Sequence, residues 1–482
     1  MGPRDLEICI VGAGMSGLLM GIRLKQAGIE NFRIYEKAAS LGGTWRENTY
    51  PGLTCDVPSF FYSFSFEQNR DWSRRFSPGP EILAYFERVA EKYDLLPYIT
   101  FNEQVTSARY QDGRWAIETG SGAKTGADVL ITACGALHQW QYPKIDGLEK
   151  FEGALFHSAA WDHSVELTGQ RIGVVGNGST GVQMMAPLSK LASHLTMFQR
   201  TAQWIMPVPN VEYTPAQRRR TRRLPWIAWL ARKYYQRMFE TFSGAVVKPG
   251  RRRQAIAAGC RKSLASVRDP ELRRKLTPDY VPMCKRLVLS TDFYPTLRKE
   301  HVDLVTEGIE HVEARGVVTQ DGALHELDVL VLATGFDTHA WGIDHVVGQD
   351  GLSLKEVWAQ GSRAYRSVAM PRFPNFFTLV GPNSPIGNIS LIDVSEVQAD
   401  YILKCIRLLR KGEVTALAPT EHATQAFHAK LVEAMKDTVW VTGCNSWYLD
   451  ADGVPNTWPW TAARFHQEMR KPNLGDFEVV RA

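Results

Sequence analysis

The sequence of 482 residues predicts an α/β fold that contains two Rossmann-like dinucleotide-binding units. Two glycine fingerprints are the first observation, Gly12-Ala13-Gly14-Met15-Ser16-Gly17 and Gly176-Asn177-Gly178-Ser179-Thr180-Gly181. The second observation is their setting, because each fingerprint lies between a short apolar run and a segment with helical spacing. The third is a charged residue nineteen positions past each last glycine, which is Glu36 in one unit and Arg200 in the other.

The first unit is predicted from the order strand, glycine turn, helix and strand. Residues Ile8–Val11 form the apolar run, Leu18–Gln26 have helical spacing, and Phe32–Glu36 have the character of a strand. Glycines in such a turn let the backbone approach a pyrophosphate at the helix N-terminus. A carboxylate at the end of the second strand accepts hydrogen bonds from a free ribose 2′-hydroxyl, so Glu36 predicts a dinucleotide without a 2′-phosphate.

The second unit repeats this order with the opposite charge. The predicted strands are Ile172–Val175 and Leu195–Gln199, and the predicted helix begins near Ser179. Because a guanidinium pairs with a phosphate, Arg200 predicts a dinucleotide that carries a 2′-phosphate. The sequence therefore indicates that one chain binds two different dinucleotides.

Further strands and helices are predicted after these units. Two apolar segments end in small turns of the kind that lies at the carboxyl end of an open sheet, where cofactors bind. The predicted strands are Ala127–Thr132, Leu327–Leu332 and Phe376–Val380; the predicted helices are Val394–Lys411 and Thr424–Lys436; and Asn445–Trp460 is expected to be an ordered loop.

A strongly basic stretch separates the two parts of the second unit. Between Asn210 and Arg286 there are 20 Lys or Arg and 5 Asp or Glu. Helical spacing in Arg218–Arg223, Trp226–Phe242 and Arg251–Val267 predicts an inserted helical unit. Its charge suits nucleic acid, anionic lipid or a phosphorylated cofactor. Arginines alternate with aromatic and Met side chains, which fits either an interfacial helix or a cover over a substrate entrance: Trp226, Trp229, Tyr234, Tyr235, Met238 and Phe239.

The seven cysteines are scattered and show no paired spacing. This pattern predicts a reduced intracellular protein that has no structural metal. No apolar run is long enough to span a membrane, so we expect a cytoplasmic location.

Three motifs resemble those of the Baeyer-Villiger monooxygenases. They are Gly42-Gly43-Thr44-Trp45, the segment Tyr50-Pro51-Gly52-Leu53-Thr54-Cys55-Asp56, and Phe151-x-Gly153-x-x-x-His157-x-x-x-Trp161-Asp162. The resemblance covers nearly the whole chain. It implies bound FAD, NADPH as hydride donor, O₂ as oxidant, and a ketone that is converted to an ester or lactone through a flavin C4a-peroxide. Nucleic acid is not among the partners that it implies.

The resemblance also implies a division of the chain into domains. FAD is expected in residues 1–150 and 337–482, and NADPH in residues 151–206 and 285–336. Residues 207–284 are then the helical insertion in the NADPH domain.

Individual residues match the motifs of this family. Arg286 corresponds to the active-site arginine that stabilises the peroxyanion and its adduct, and Asp56 corresponds to the carboxylate that orients it. The flavin side implies contacts from Gly12, Gly14, Ser16, Gly17, Glu36, Thr44, Trp45, Asp56, Tyr62 and Val105. The NADPH side implies contacts from Asn177, Gly178, Ser179, Thr180, Gly181, Gln183, Arg200, Thr201, Lys285 and Trp447.

His157 has two interpretations. Histidine is the usual proton carrier in active sites, which suggests a general base. The family places this motif in the linker between the cofactor domains, which suggests that the residue latches a hinge. The second interpretation is favoured, and it predicts that His157→Ala disturbs movement of NADP more than flavin binding.

Two other enzyme classes share the paired fingerprints. A flavin-containing monooxygenase would oxidise nitrogen or sulfur and would need no arginine at the adduct, so the combination of Asp56, Trp161 and Arg286 argues against it. A flavin disulfide reductase would need a redox pair of cysteines after the first strand, where only Cys55 is present.

Overall fold

Two parallel sheets of five strands organise the protein, and each contains one glycine fingerprint. This confirms the predicted α/β fold class. The computed structural model describes residues 4–337, 345–359, 361–412, 414–444, 446–449, 453–454 and 456–481.

The first part of the chain contains one strand–helix–strand unit and an antiparallel hairpin region. Its strands are β1 (Ile8–Val11), β2 (Phe32–Tyr35), β3 (Ile99–Thr100), β4 (Val105–Gln111), β5 (Arg114–Thr119), β6 (Lys124–Ala127) and β7 (Val129–Thr132). Its helices are α1 (Met15–Gln26), α2 (Thr44–Glu47) and α3 (Gly79–Lys92).

The second part contains the repeated unit and the helical insertion. Its strands are β8 (Ala154–His157), β9 (Arg171–Val175), β10 (His194–Phe198), β11 (Ile205–Met206), β12 (Val288–Leu289), β13 (Val302–Val305), β14 (Ile309–Glu313), β15 (Gly316–Thr319), β16 (Leu324–Glu326) and β17 (Val329–Leu332). Its helices are α4 (Ser179–Leu188), α5 (Pro215–Arg223), α6 (Pro225–Val247), α7 (Arg251–Ala265), α8 (Pro270–Lys275) and α9 (Phe293–Thr296).

The last part returns to the first sheet. Its strands are β18 (Val346–Val347), β19 (Phe376–Thr378), β20 (Val414–Pro419) and β21 (Phe477–Arg481). Its helices are α10 (Leu354–Trp358), α11 (Leu391–Arg410), α12 (Glu421–Met435) and α13 (Ala462–Glu468). Asn445 and residues 450–452 and 455 of the predicted loop Asn445–Trp460 lie outside the described residues.

The two sheets have matching topology. The first has the strand order β19-β7-β1-β2-β3 and the second has the order β13-β10-β9-β17-β8, and every pairing in both is parallel. Strands β1 and β9 lie inside their sheets and are mostly buried, which explains their continuous apolar sequences. Two smaller sheets accompany them: the mixed sheet β18-β4-β5-β6, in which β18 is parallel to β4, and the antiparallel sheet β14-β15-β16.

The predicted strand Ala127–Thr132 is interrupted in the structure. The segment Ala127–Thr132 is divided at Asp128 into the end of β6 and the whole of β7. The Asp128 carboxylate accepts a hydrogen bond from the backbone N–H of Glu7 at 2.9 Å. The chain therefore leaves the antiparallel sheet at this residue and enters the parallel one.

The basic stretch forms helices α5, α6 and α7, as its spacing predicts, and also the short helix α8, which was not predicted. The aromatic side chains of α6 divide between two faces: Tyr235 and Phe239 pack against the core of the first part, whereas Trp226, Trp229 and Tyr234 are exposed. Among the residues that the structure describes, no helix combines the length and the apolar character that crossing a membrane requires.

One basic residue of α6 is buried rather than solvated. The Arg232 guanidinium donates to the carbonyl oxygens of Phe61 and Ser63 and lies 3.2 Å from a carboxylate oxygen of Glu396 in α11. Its side chain is only 6% exposed. This contact fixes the insertion to the first part of the chain.

The expectation that all cysteines are unpaired is wrong for two of them. Cys284 and Cys444 form a disulfide with a Cα–Cα distance of 6.1 Å, and the other five cysteines are free. The two residues are 160 positions apart. Local spacing therefore carries no sign of the pairing, which tertiary packing alone creates.

Candidate active site

A cavity of about 1670 Å³ lies at the carboxyl ends of the strands of both sheets. Gly12 follows β1, Ala133 follows β7, Gly176 follows β9 and Ala333 follows β17, and all four line this cavity. Loops at the carboxyl ends of parallel strands are where open α/β sheets bind ligands. The cavity is therefore the candidate site for both dinucleotides.

Most of the site residues expected from the sequence meet in this one cavity. Gly17 and Gly181 do not line it and instead pack against the backbone beneath the two turns. The residues that do line it are Gly12, Gly14, Ser16, Glu36, Thr44, Trp45, Asp56, Tyr62, Val105, Asn177, Gly178, Ser179, Thr180, Gln183, Arg200, Thr201, Lys285, Arg286 and Trp447.

The two glycine turns have the same steric basis. Gly12 and Gly176 have φ of 103° and 106°, a region that side chains disfavour. A Cβ at Gly17 would lie 1.9 Å from the Gly12 carbonyl oxygen, and one at Gly181 would lie 2.1 Å from the Gly176 carbonyl oxygen. Only glycine allows each helix to begin so close to the preceding turn.

After each turn, the N-terminus of a helix that has no side-chain cap faces the cavity. Gly14 is the N-cap of α1 and Gly178 is the N-cap of α4, and neither helix has a side-chain cap. A Cβ at Gly178 would meet no atom within 4 Å, so this turn faces open space. Uncapped N–H groups at a helix N-terminus suit a pyrophosphate.

Glu36 is fixed at the end of β2 by backbone donors. Its carboxylate accepts hydrogen bonds from the N–H groups of Ala13 and Ala38 at 2.9 and 3.0 Å, and Arg46 lies 3.3 Å away. The residue is buried but lines the cavity. A carboxylate has about four acceptor sites, so Glu36 retains capacity for a ribose hydroxyl.

Aromatic side chains form the wall beside α2, which begins at Thr44. The Trp45 indole N–H donates to the Tyr62 hydroxyl at 3.0 Å, and the two rings pack edge to face. Burial raises the pKa of Tyr62 far above its usual value, so the phenol remains neutral. The two rings make this wall largely apolar, and their hydrogen bond holds the Tyr62 hydroxyl in place.

Two further residues line the cavity on the side of the first unit, and one of them contacts the last part of the chain. The Ser16 hydroxyl lies 2.9 Å from the Ser395 hydroxyl at the start of α11. Val105 is the first residue of β4 and is buried. The wall of this side is therefore assembled from both the first and the last parts of the chain.

Asp56 and Arg286 form an ion pair at the cavity wall. Arg286 donates from Nε and Nη2 to Oδ2 of Asp56 at 2.7 and 2.5 Å. Their side chains are 32% and 24% exposed, and both line the cavity. Burial works against the charge of Arg286, but Asp56 and then Tyr448 outweigh it and raise the pKa of the guanidinium. Arg286 is therefore a permanent cation in a fixed orientation.

Arg200 and Lys285 place two positive charges near each other on the side of the cavity formed by the second unit. Arg200 is exposed and forms no ion pair with any residue that the structure describes. The Lys285 ammonium lies 4.8 Å from the centre of the Tyr280 ring. Burial lowers the pKa of Lys285, the charge of Asp279 opposes this, and the charge of Arg200 lowers the pKa further. Such a pair is an anion site, because a phosphate would relieve the repulsion.

Polar residues of the second unit join it to its surroundings. Asn177 donates to the Gln199 side chain and the Thr201 carbonyl oxygen at 2.7 and 2.8 Å, which fixes the turn that carries Arg200. Gln183 on α4 donates to the Thr54 carbonyl oxygen at 3.0 Å. Gln183 thus ties the second unit to the loop that carries Asp56.

His157 lies outside the cavity, between the two segments that connect the sheets. Its ring stacks on Trp140 at 4.9 Å and meets Phe336 edge to face. Nδ1 accepts a hydrogen bond from the Ala159 N–H, and burial lowers the pKa of the ring. The position agrees with a structural role at the linker rather than with a general base, and the hinge role remains a prediction.

Three residues of the cavity region were missed by the sequence reasoning. Arg46 reaches Glu36, Tyr50 donates to the Gln183 side chain at 2.9 Å, and Tyr448 lies beside Arg286. Arg46 and Tyr50 belong to or adjoin motifs already recognised, so adjacency was an available signal. Tyr448 follows Trp447 directly, but nothing local to it indicates contact with Arg286.

Comparison with known proteins relates the chain to monooxygenases. The flavin-binding monooxygenase-like family matches residues 5–224. An uncharacterized monooxygenase of Mycobacterium tuberculosis is 51% identical over 482 residues, which cover 100% of this chain and 97% of the relative.

Two further comparisons cover nearly the whole chain. A Baeyer-Villiger monooxygenase of Streptomyces coelicolor is 40% identical over 485 residues, which cover 99% of this chain and 93% of the relative. The structure of cyclohexanone monooxygenase from Rhodococcus sp. Phi1 bound to NADP⁺ is 29% identical, with a TM-score of 0.87 and full coverage of both chains. The protein therefore belongs to the Baeyer-Villiger monooxygenase family of flavin-binding enzymes.

Proposed function

We propose that the protein is an FAD-dependent monooxygenase that consumes NADPH and O₂ and converts a ketone into an ester or lactone. The observation that carries the proposal is the Asp56–Arg286 pair, which faces the same cavity as both glycine turns. In this proposal residues 1–150 and 337–482 hold FAD, and residues 151–206 and 285–336 hold NADPH. Residues 207–284 form the insertion.

The first unit suits FAD. The uncapped N-terminus of α1 at Gly14 would receive the pyrophosphate, together with Gly12 and Ser16. Glu36 would accept hydrogen bonds from the unphosphorylated ribose, for which its carboxylate is already oriented. The remaining contacts to the flavin and adenine would come from Thr44, Trp45, Asp56, Tyr62 and Val105.

The second unit suits NADPH. The open N-terminus of α4 at Gly178 would receive its pyrophosphate. Arg200 and Lys285 would bind the 2′-phosphate, which supplies the anion that their two charges need. Further contacts would come from Asn177, Ser179, Thr180, Gln183, Thr201 and Trp447.

The chemistry divides between cofactor and protein. Bound FAD, once reduced by NADPH, supplies the activation of O₂. Arg286 stabilises negative charge that develops on oxygen atoms during oxidation of the ketone, since its guanidinium cannot give up a proton. Asp56 holds that guanidinium in one orientation. Trp45 and Tyr62 limit the access of water beside it.

Substitution of Arg286 tests this assignment. Arg286→Ala should still oxidise NADPH but form no ester, measured by product mass on cyclic, aryl and aliphatic ketones. Arg298→Ala is the matched control, because Arg298 is exposed and does not line the cavity. Ester formation by Arg286→Ala at the parental rate would refute the role of Arg286. Oxidation of amines or sulfides without oxidation of any ketone would instead indicate a flavin-containing monooxygenase.

We also propose that helices α5 and α6 make weak contact with an anionic membrane surface. Trp226, Trp229 and Tyr234 are 52%, 55% and 67% exposed. No Asp or Glu occurs between residues 214 and 239, and Arg219 and Arg220 form no ion pair within the described part of the chain. Exposed aromatic groups beside cationic ones are typical of interfacial helices.

Sedimentation with vesicles tests this contact. The protein should bind anionic vesicles at low salt, bind them more weakly at physiological salt, and ignore zwitterionic vesicles. Trp226→Ser with Trp229→Ser should reduce binding, whereas Leu474→Ser, at an exposed apolar residue elsewhere, should not. No binding to anionic vesicles at low salt would refute the contact and leave these helices as a cover for the substrate entrance.

A further inference from the structure

The Cys284–Cys444 disulfide joins two segments that both approach the candidate catalytic pair. Cys284 lies two positions before Arg286, and Cys444 lies four positions before Tyr448. Both cysteines are buried, and Cys284 Sγ also lies 3.8 Å from the Trp440 carbonyl oxygen. The bond therefore connects the chain that carries Arg286 to the segment that carries Tyr448.

Tyr448 is held tightly beside the cavity. It is buried, and its ring packs against Trp440 at 5.3 Å and against Trp447 at 4.2 Å. Its hydroxyl lies so close to the Gly387 backbone that a Cβ at Gly387 would be 2.1 Å away. Gly387 and Trp447 both line the cavity. The ring thus fills the space between the cavity wall and the core.

Tyr448 also acts on Arg286. Burial raises the pKa of Tyr448, while the charge of Arg286 opposes that rise. Arg286 therefore interacts with two groups, the Asp56 carboxylate through hydrogen bonds and the Tyr448 phenol through charge. A shift of the segment 446–449 would remove the second of these contacts and leave the first.

We propose that Tyr448 is a positioning residue for Arg286 and that the Cys284–Cys444 disulfide is a redox-sensitive tether that holds it there. The hydrogen bonds of Tyr448's own backbone remain within its segment, from the Tyr448 N–H to the Ser446 hydroxyl and from the Asn456 N–H to the Tyr448 carbonyl oxygen. They shape the segment but do not join it to the chain that carries Arg286. The disulfide makes that connection covalently.

Reduction releases the tether by ordinary thiol–disulfide exchange. A dithiol reductant transfers two electrons and two protons, the S–S bond breaks, Cys284 and Cys444 become thiols, and the reductant becomes a disulfide. The segment that carries Trp447 and Tyr448 then loses its covalent link to Arg286. Because this inference rests on the proposed function, its test includes measurements that do not depend on ester formation.

The first test measures the tether in the holoenzyme without turnover. Alkylation of the denatured protein should count five thiols before treatment with dithiothreitol and seven after it. Cleavage by chymotrypsin after Trp447 and Tyr448 should be at least threefold faster in the reduced holoenzyme. Cys444→Ser should be cleaved at the fast rate in both conditions, and Cys405→Ser, which removes a buried free cysteine, should respond as the wild type does.

The second test measures turnover. Reduction of the wild type should lower the ester formed per NADPH oxidised at least threefold, and Tyr448→Phe should do the same with its disulfide intact and with an unchanged KM for NADPH. Seven thiols in the untreated protein, equal cleavage rates, or equal ester yields in the two redox states would overturn the proposal. Absence of ester in both states contradicts the proposed function, and the cleavage rates then decide the tether independently.

Discussion

Replacement of Arg200 by alanine should weaken the binding of NADP⁺ and leave the binding of NAD⁺ nearly unchanged. Arg200 lines the cavity and forms no ion pair among the residues that the structure describes. Lys285 lies close enough for the charge of Arg200 to lower its pKa. Since the two dinucleotides differ only in the 2′-phosphate, a residue that binds this phosphate affects only one of them.

The expected change in the Kd for NADP⁺ follows from the charge of the phosphate that Arg200 would bind. A hydrogen bond to a charged group contributes about 1.5–3 kcal/mol. Each 1.4 kcal/mol corresponds to about a tenfold change in Kd, so the Kd for NADP⁺ should rise on the order of 10- to 100-fold. Lys285 remains to hold the phosphate, which argues against complete loss of binding. The Kd for NAD⁺ should change less than about twofold, because it lacks the charged group.

Titration of the FAD-loaded protein with each dinucleotide at fixed ionic strength measures this difference. Arg298→Ala serves as control for the loss of one positive charge, because Arg298 is exposed and does not line the cavity. Equal losses for NADP⁺ and NAD⁺ would refute phosphate recognition and indicate disturbance of the turn instead. Hydrogen peroxide released per NADPH should also rise in Arg200→Ala, and unchanged coupling would restrict Arg200 to the choice of cofactor.

Three other predictions concern the linker and the packing of the helices. Arg232→Ala should lower the free energy of unfolding by about 3–5 kcal/mol, since it leaves the buried Glu396 carboxylate of α11 without its cationic partner. Exposed Lys233→Ala should lower it by less than about 0.5 kcal/mol, and urea titration measures both values. His157→Ala should slow oxygenation and raise hydrogen peroxide release while FAD affinity is retained, and no change in either rate would contradict the hinge role. A hydrogen bond to Asp393 raises the pKa of His466, so its stabilisation is present below the ordinary pKa and is lost as pH rises through the folded value. The urea midpoint should therefore decrease as the pH rises from the ordinary histidine pKa of about 6.5 through the folded value, and His466→Gln should reduce that dependence on pH.

The two glycine units were predictable because their determinants are local. Short-range sterics and spacing fix three features of each unit: a glycine with positive φ, a helix that begins within a few residues, and a charge at the end of the next strand. The helices of the insertion were also recognised from their periodicity. The strand Ala127–Thr132 was predicted without its interruption because a side chain, Asp128, ends one sheet and begins another.

The direction of the aromatic side chains on α6 was not determined by the same pattern. Tyr234 and Tyr235 are neighbours in sequence and of the same type, yet one is exposed and the other packs against the core. Arg232 likewise looks like its exposed neighbours in sequence but is buried against Glu396. Helical spacing gives the relative phase of side chains, whereas packing decides which face turns inward.

By itself the sequence determined the fold class, the two dinucleotide turns, and the opposite charges at Glu36 and Arg200. The ion pair of Asp56 and Arg286, 230 positions apart, was expected only from the family resemblance, and its geometry comes from the tertiary structure. Tertiary structure alone decided that Cys284 is bonded to Cys444. It also decided that Tyr448 lies beside Arg286. Turns and periodicity arise from interactions between near neighbours in the chain, so a short stretch of sequence is enough to predict them. Contacts across hundreds of residues depend on how the sheets and helices pack together, which no short segment specifies.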